Sequence, residues 1–302
     1  MKQTAAPQQL QFRSRLIHGV RQFFHGRDYV EVETPLLSPD IIPEAHIDPI
    51  RCGEFFLPAS PEIFMKRLLA AGHDRIFQIC KCFRKEERGS RHLPEFTMLE
   101  WYGKGETYAH LMEQCEALVG FLAQELGMGQ TLNYQGKTIN IGAPFERLTV
   151  ADAFETYTDT DCWTALAEDR FDELISFEIE PHLGWEKPVF LYDYPKPLAS
   201  LAALVPENPD MAQRCELYMA GIELANGFTE LTDAPIQARR FEEENRIREE
   251  LSKEALPLPR NFLADLERMP EAAGIALGLD RLIMLFADAS DIDQVTAFTP
   301  EA

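Results

Sequence analysis

The chain has 302 residues and a formal net charge of −21, from 29 basic and 50 acidic residues. This charge disfavours a large nucleic acid such as tRNA as the default partner, because phosphate backbones are attracted to basic surfaces. No apolar run approaches the ~18 to 20 residues that a membrane-spanning helix needs, and the polar start MKQTAAPQQ lacks the apolar stretch of a secretory signal. We therefore expect a soluble protein of the cytoplasm with no membrane partner, and the length permits one large α/β domain.

The N-terminal third is predicted to start with a helix over residues 10–25, which Gly26 can end. The stretch VEVETPLL, residues 30–37, follows as a strand with Pro35 near its end. Four prolines then break residues 39–58 into irregular segments and short strands.

Ser60 and Pro61 form a good N-cap and first-turn pair for a helix that runs to about Ala71 and is closed by Gly72. Glu62 falls in the first turn of this helix. A carboxylate there stabilises the helix dipole, which is one interpretation of Glu62; binding of a substrate is the other.

Residues 83–102, FRKEERGSRHLPEFTMLEWY, contain the densest concentration of charged and aromatic side chains. Residues 77–84 alternate apolar with polar or small side chains, and residues 94–102 are rich in β-formers. We predict two antiparallel strands joined by a charged loop. Such a loop suggests a phosphate and cation site, and a solvated hairpin tip is the alternative.

The rest of the chain alternates predicted helices and strands. In chain order these are a helix at 108–126, a hairpin at 132–141 with its turn near Gln135 and Gly136, two helices within 149–180, a buried strand at 189–194, long strands at 215–231, a solvated helix at 236–254, a strand at 274–278 and a helix at 279–287.

Side chains alternate along the strand that contains Asn226, Phe228 and Glu230, so these three share one face. Glu223 has the opposite parity. A β-bulge would therefore be needed to bring Glu223 into the same site.

Six cysteines are scattered without a CxxC pair: Cys52, Cys80, Cys82, Cys115, Cys162 and Cys215. Cys80 and Cys82 would share a face of their strand, which a zinc or redox site could use. No second ligand pair is visible, so buried free thiols are favoured.

Several of these stretches together resemble the class II aminoacyl-tRNA synthetases, specifically the lysyl branch. They are residues 30–37 for motif 1, 83–102 for motif 2, ELANGFTEL at 223–231 for the lysine-recognition strand, GIALGLDRLIML at 274–285 for motif 3, and SPEIFMKRLL at 60–69 for an amino-group-binding segment. The resemblance implies an α/β (α+β) fold, an antiparallel sheet flanked by helices, in a single catalytic domain over residues 1–302. Because only about ten residues precede the first helix, the anticodon-binding β-barrel is expected to be absent.

The resemblance implies ATP-dependent activation of an amino acid. Arg84 would bridge the α-phosphate and the substrate carboxylate. Arg281 would contact the γ-phosphate and cover one face of adenine, and Phe96 would stack on the other face. The planar guanidinium suits both tasks.

Four further residues match the family's nucleotide and metal contacts. Glu86 and His92 match residues that contact the adenine and the terminal phosphates. Glu216 and Glu223 match the two glutamates that hold magnesium, and Glu223 is also expected at the ATP. Carboxylate oxygens are appropriate ligands for this hard cation.

The family's amino acid pocket maps onto Glu62, Glu100 and Glu230, with Tyr102 and Asn226 as hydrogen-bonding neighbours. A buried set of carboxylates fits a cationic substrate such as lysine or a lysine isomer.

Ala276 stands where the lysyl synthetases have glycine and a free-standing paralogous family, the elongation factor P lysine ligases, has alanine. The segment ASLA at 199–202 also looks closer to those ligases. The resemblance favours (R)-β-lysine over α-lysine, although a methylene-sized contact discriminates by only about 1–3 kcal/mol. Lys85 and Leu93 depart from the lysyl branch, which has asparagine at both positions.

The resemblance to those ligases implies transfer of the activated group to a lysine of elongation factor P, and motif 1 implies a homodimer. Two alternatives stay open. One is a truncated lysyl-tRNA synthetase-like enzyme that charges tRNA or another amine, and the other is a non-catalytic paralogue that only binds.

Overall fold

The structure is a computed structural model that describes residues 1–300. Its helices are α1 (Pro7–His25), α2 (Glu62–Ala70), α3 (Tyr108–Glu125), α4 (Val150–Tyr157), α5 (Cys162–Ala167), α6 (Phe171–Leu174), α7 (Ala234–Glu250), α8 (Arg260–Leu266) and α9 (Leu279–Phe286). Its strands are β1 (Lys2–Gln3), β2 (Val30–Glu31), β3 (Ile50–Cys52), β4 (Phe55–Leu57), β5 (Arg75–Phe83), β6 (Glu95–Lys104), β7 (Thr131–Tyr134), β8 (Lys137–Asn140), β9 (Glu146–Thr149), β10 (Val189–Pro195), β11 (Leu204–Val205), β12 (Asn208–Met219), β13 (Ile222–Thr229), β14 (Ala272–Gly278) and β15 (Phe298–Thr299).

A nine-stranded sheet forms the centre of the fold, in the order β2-β5-β6-β14-β13-β12-β10-β9, with β11 added to β12. The pairs from β5 through β10 are antiparallel, and only the outer pairs β2–β5 and β9–β10 are parallel. The predicted antiparallel sheet flanked by helices is therefore confirmed. Among residues 1–300, no helix is both long enough and apolar enough to cross a membrane.

The two faces of the sheet have different roles. Trp101, Leu217 and Ile275 belong to the main hydrophobic core, which helices α1, α3 and α9 complete on one face. Because side chains alternate along a strand, the neighbouring residues Glu100 and Ala276 face the opposite side. The packed face thus holds the strands rigidly while the other face presents polar side chains.

The N-terminal predictions are mostly confirmed, with one correction. Helix α1 ends at His25 with Gly26 as its C-cap. In the motif 1 segment only Val30–Glu31 pairs as a strand, beside β5, so the longer strand predicted for residues 30–37 is wrong. Pro35 has no N–H to donate to a ladder, which limits pairing here.

Helix α2 begins at Glu62, with Pro61 rather than Ser60 at the N-cap position. Ser60 Oγ still accepts a hydrogen bond from the Glu62 N–H at 3.0 Å. The same hydroxyl donates to Glu100 Oε1 at 2.5 Å. Ser60 therefore hydrogen-bonds both helix α2 and Glu100 on β6. Its preference for helix N-caps did not indicate the second bond.

Both predicted hairpins form, β5–β6 with the charged loop and β7–β8 with Gln135 and Gly136 in the left-handed region at the turn. Residues 149–180 contain three short α-helices and a π-helical turn at Ile175–Ile179, rather than two helices. Helix α7 is not wholly solvated, because Arg248 is buried and donates to the carbonyls of Glu44, Ile47 and Glu254.

Candidate functional site

Four of the predicted site residues lie in one row across neighbouring strands. Glu100 on β6 pairs with Ala276 on β14, Ala276 pairs with Asn226 on β13, and Asn226 pairs with Glu216 on β12. Gln78 on β5 extends the row as the partner of Glu100. Directly opposed residues in a sheet have Cβ atoms about 5 Å apart. Sheet pairing therefore brings together residues that are far apart in the chain.

The amine end of this row, which we call the amine pocket, contains Glu62, Glu100, Tyr102, Asn226 and Glu230. Glu100, Tyr102 and Asn226 project from strands of the sheet, Glu230 directly follows β13, and Glu62 is supplied by α2. Helix α2 is held over this face by apolar contacts of Met65 and Leu69. Together with Ala276 between Glu100 and Asn226, the six predicted substrate residues are thus brought to one side of the sheet.

Glu100 is buried and its carboxylate is bonded at both oxygens. Ser60 Oγ donates to Oε1 at 2.5 Å, and the Tyr102 hydroxyl donates to Oε2 at 3.0 Å. Burial, and then the charge of Glu62, raises the pKa of Glu100 to about 8. The Lys66 ammonium opposes this shift but does not cancel it, so without a bound ligand this carboxyl retains a proton near neutral pH.

Glu230 is the second carboxyl of the pocket with a raised pKa. Burial raises its pKa to about 8 even though the Lys66 ammonium opposes this shift. Its Oε2 lies 2.5 Å from Lys66 Nζ. Glu230 Oε1 is buried and has no hydrogen-bond partner among residues 1–300, and the same is true of Asn226 Oδ1. Both oxygens can therefore accept a hydrogen bond from a ligand.

Gly274 allows the pocket to form because the Tyr102 ring crosses its backbone. A β-carbon at this position would lie 2.0 Å from Tyr102 Cε1 and 2.7 Å from Glu230 Oε1. No side chain fits at that distance, so only glycine leaves both groups in place.

The opposite end of the row is an acidic cluster around Glu216. The hydroxyls of Tyr194 and Tyr218 donate to Glu216 Oε2 at 2.5 and 2.7 Å, and Arg214 Nη2 donates to Oε1 at 2.6 Å. These bonds fix the orientation of the carboxylate.

Glu223 reaches this cluster through a β-bulge. Leu217 pairs with Ala225, but the next residue, Tyr218, pairs with Glu223, so Leu224 is the extra residue. The predicted bulge is confirmed. Burial and then Glu216 raise the pKa of Glu223, which is the electrostatic sign of two carboxylates that share a site.

Glu180 is a third carboxyl at this end that the sequence did not suggest. Tyr218 donates to Glu180 Oε1 at 3.2 Å as well as to Glu216. Burial, followed by Glu223 and Glu216, raises the pKa of Glu180 to about 7. Glu180 lies in a short 3-10 segment without a recognisable motif, so no local signal marked it.

The donor set fits magnesium. Glu223 and Glu216 offer hard oxygen ligands, and Glu216 Oε1 accepts only one hydrogen bond, leaving a lone pair for a cation. Among the described residues, no three His, Cys, Asp or Glu side chains are grouped to hold a metal by themselves. Magnesium usually completes its coordination with water and substrate phosphates, so two carboxylates suffice.

Arg84 lies where the charged loop leaves β5. Its guanidinium carbon is 5.3 Å from the centre of the Phe96 ring, and one of its nitrogens lies 3.7 Å from Glu87. Its Nε is buried and has no hydrogen-bond partner among residues 1–300. A desolvated, unpaired guanidinium N–H is suited to an anionic ligand. Phe96 is near Arg84, and its stacking on adenine stays a prediction.

Arg281 contacts both the charged loop, at His92, and the sheet, at Glu223. It donates to the backbone carbonyl of Glu223 at 2.8 Å, and its Nη2 lies 2.5 Å from His92 Nε2. Burial, followed by the charges of Arg281 and Arg84, lowers the pKa of His92 to about 4, so this imidazole is neutral at pH 7.

Asp280 orients the start of the motif 3 helix. Its side chain accepts from the Thr97 backbone N–H at 2.6 Å and from Arg13 Nη1 at 2.5 Å. These bonds hold α9 against β6 and α1, which places Arg281 beside the charged loop. The buried acid next to the motif arginine was not singled out from the sequence.

Glu86 is not brought into contact with the other site residues. It lies in the loop turn with a left-handed backbone, and its side chain is 81% exposed beside Lys85. Its contact with adenine stays a prediction.

Lys66 is a third residue that sequence reasoning missed, after Glu180 and Asp280. It lies one turn after Glu62 on α2, and this i, i+4 spacing of opposite charges was the available signal.

The six cysteines are all free thiols; four are buried, Cys80 is half-buried and Cys52 is exposed. Cys80 and Cys82 share a face, with their sulfurs 3.8 Å apart. The preference for free thiols is confirmed, and burial is wrong for Cys52.

The whole chain, residues 1–302, matches the family of class II tRNA synthetases (D, K and N). It is 38% identical to the elongation factor P–(R)-beta-lysine ligase of Vibrio parahaemolyticus, covering 98% of this chain and 96% of the relative. The protein of the same name from Vibrio cholerae is 39% identical over the same shares of both chains. That from Pectobacterium carotovorum is 39% identical, covering 96% of this chain and 94% of the relative. The antiparallel sheet, the five segments that resemble the lysyl branch and these matches agree, and the chain belongs to the class II tRNA synthetase family.

Proposed function

We propose that this protein uses ATP to activate (R)-β-lysine, or lysine, as an aminoacyl-adenylate and transfers the aminoacyl group to a lysine ε-amine of elongation factor P. The observation that carries the proposal is the cross-strand row from Glu100 to Glu216. It joins a carboxylate-lined pocket for a cationic substrate to an arginine-rich and acidic end suited to ATP and magnesium.

In the first step, a carboxylate oxygen of the amino acid attacks the α-phosphorus of ATP. A carboxyl–phosphate bond forms, the bond to the β-phosphate breaks, and pyrophosphate leaves. Arg84 neutralises the two anions that must approach each other, and its buried Nε is the donor available for this task.

In this proposal, Arg281 and His92 contact the terminal phosphates and the adenine of ATP. The neutral His92 accepts a hydrogen bond from Arg281 without adding charge of its own. Glu216 and Glu223 would hold magnesium, which supplies neutralisation of phosphate charge when it is bound. The fixed carboxylate of Glu216 pre-organises that site.

In the second step, the acceptor amine attacks the acyl carbon of the adenylate. An amide bond forms, AMP leaves, and the amine loses a proton. The name shared by the relatives supports elongation factor P as the acceptor, and the net charge of −21 disfavours tRNA. An acceptor that is a translation factor implies that the protein works in the cytoplasm.

We also propose a homodimer through the motif 1 segment. Val30, Leu36 and Leu37 are large apolar residues that are 43–53% exposed there. Exposed apolar clusters often mark protein interfaces. Sedimentation at micromolar concentration should give twice the mass of one chain, and Leu36→Asp with Leu37→Asp should return it to the mass of one chain; a wild-type monomer would contradict the dimer.

The decisive experiment offers elongation factor P and lysine tRNA in one reaction with ATP, magnesium and labelled lysine or (R)-β-lysine. We expect label on the protein, with (R)-β-lysine preferred. Label on tRNA instead would replace this function by that of a minimal synthetase. Label on neither, together with no ATP–pyrophosphate exchange, would indicate a non-catalytic paralogue.

A further inference from the structure

A buried lysine links two carboxylates of the amine pocket. Lys66 is 1% exposed, and its Nζ lies 2.5 Å from Glu62 Oε1 and 2.5 Å from Glu230 Oε2. Glu62 and Lys66 belong to α2, whereas Glu230 directly follows β13. The lysine therefore bridges the helix and the sheet across the pocket.

Each bridged carboxylate keeps one oxygen that no protein donor occupies. Among the described residues, Glu62 is bonded through Oε1 to Lys66 alone, and Glu230 Oε1 is buried without a donor. Glu100 differs, because Ser60 and Tyr102 occupy both of its oxygens. Two acceptor oxygens are thus available to a ligand, one on each side of Lys66.

The charge of the pocket also indicates two ammonium-binding positions. Burial alone would lower the pKa of Lys66, but Glu230 and Glu62 together raise it, so this ammonium is charged at neutral pH. When Glu62, Glu100 and Glu230 are all ionised, one resident ammonium leaves a surplus of two negative charges. A diamino acid has two ammonium groups to match them.

We propose that Lys66 is a positioning residue that fixes the spacing between the two ammonium-binding oxygens and thereby selects among diamino acids by the separation of their amino groups. This inference rests on the proposed function and deepens it. α-Lysine and (R)-β-lysine have the same composition and charge, but one amino group of (R)-β-lysine is a carbon closer to the other. Total charge cannot distinguish these isomers, whereas a fixed spacing can.

The first test compares kcat/KM for the two isomers in ATP–pyrophosphate exchange, in the wild type and in Lys66→Met. The methionine is close in length and cannot bridge the carboxylates. In Lys66→Met we expect the ratio of the two kcat/KM values to approach one, which is a change of about tenfold or more from the wild-type ratio. KM for ATP should change by less than about twofold. An unchanged isomer ratio, even with lower total activity, would overturn the proposal.

The matched control is Arg67→Met, which changes the next residue of the same helix. Arg67 pairs with Asp265 at 2.7 Å outside the pocket. Its loss tests whether weakening of α2 alone alters selectivity. The isomer ratio should stay at the wild-type value, and an equal change in both variants would overturn the role of Lys66.

Removal of a buried cation can prevent folding, so a second variant combines Lys66→Met with Glu62→Gln. It removes one charge of each sign and keeps the pocket's total charge. We expect this variant to fold and to lack the wild-type isomer preference. A folded double variant with the wild-type preference would contradict the proposal.

Calorimetry on the wild-type protein needs no variant and separates this inference from the proposed function. We expect the Kd values of 1,4-diaminobutane and 1,5-diaminopentane to differ by about fivefold or more, because a fixed spacing discriminates by length. Equal Kd values would overturn the proposal. If the protein distinguishes these diamines but makes no adenylate, the proposed function fails while the fixed spacing of the pocket stands, and loss of this discrimination in Lys66→Met assigns the spacing to Lys66.

Discussion

The two ends of the site hold their charged groups in different ways. At the amine pocket, Glu100 and Glu230 are buried, and Ser60, Tyr102 and Lys66 hold them in place. At the nucleotide end, Arg84 and Arg281 lie beside a loop whose Glu86 is almost fully exposed.

This difference follows from the ligands that each end is proposed to bind. A small cation has few atoms to recognise, so its selection requires desolvated and fixed carboxylates. ATP has many charged oxygens, and arginines on a partly exposed loop can bind them without being fully buried. If the proposed ligands are correct, the amine pocket determines which substrate is used, whereas the nucleotide end determines the rate of activation.

The largest expected effect is the loss of Arg84. We expect Arg84→Ala to lower kcat for adenylate formation by about 10³-fold or more, because it removes the cation at which the two anions meet. The unfolding midpoint should stay near that of the wild type. Pyrophosphate exchange measures the loss, and full activity of a folded Arg84→Ala protein would refute the assignment.

The control for this change is Arg75→Ala. Arg75 lies at the other end of β5 and pairs with Glu106 at 3.3 Å. We expect nearly wild-type exchange from this variant.

The pH dependence should distinguish the two ends. Glu100 and Glu230 have pKa values of about 8, so both carry protons below that pH in the empty pocket. An ammonium ligand must displace these protons, so KM for the amino acid should fall as the pH rises through this value. For one such proton, the fall between about pH 6.5 and about pH 8.5 is roughly 20-fold.

KM for ATP should not follow the step near pH 8, because the pKa of His92 is about 4 and Glu180, the group of the acidic end that titrates in this range, has a pKa of about 7. Steady-state exchange at saturating co-substrate measures both constants. A flat KM for the amino acid would show that its carboxylates are already ionised in the empty pocket.

Tyr218→Phe should weaken magnesium binding at the acidic end, with a smaller effect than the two preceding predictions. This change removes the hydroxyl that donates to Glu216 at 2.7 Å and to Glu180 at 3.2 Å. Outer partners of metal ligands contribute about tenfold or more to metal affinity. We expect the magnesium concentration for half-maximal exchange to rise by about tenfold, with KM for the amino acid unchanged.

The control is Tyr108→Phe, because the Tyr108 hydroxyl also donates to a carboxylate, that of Asp193. Its magnesium requirement should match that of the wild type. A wild-type magnesium requirement in Tyr218→Phe would contradict the role given to this hydroxyl.

Ala276→Gly should have the smallest effect. Ala276 lies between Glu100 and Asn226 in the row, and its methyl group is partly exposed to the pocket. Removing it enlarges the pocket floor, so we expect kcat/KM for α-lysine to rise relative to (R)-β-lysine. The change should be about 1 kcal/mol, or roughly fivefold. A shift toward (R)-β-lysine would contradict the size argument.

Much of the fold was determined locally and could be predicted. Alternation over 77–84 and 94–102 predicted the β5–β6 hairpin, and the turn at Gln135 and Gly136 predicted β7–β8. Parity along β13 even showed that a bulge was required to bring Glu223 into the site. These features depend on neighbours in the sequence, which is why the chain alone reveals them.

The candidate site residues were predicted in a different way. Their roles came from resemblance to known motifs, because a glutamate such as Glu62 or Glu100 has no local property that separates it from a solvated one. Nothing in the chain alone reveals the row that joins Glu100 to Glu216, since its members come from strands distant in sequence.

The sequence by itself thus determined the hairpins, the main helices and the family's motif residues. Only the tertiary structure decided that Lys66 is buried between two carboxylates, that Glu180 joins the acidic end, and that the motif 1 strand is short. The physical reason is that burial and charge pairing depend on which distant segments pack together. A lysine on a helix is ordinarily solvated, and it becomes a fixed internal cation only when a strand brings a second carboxylate to it.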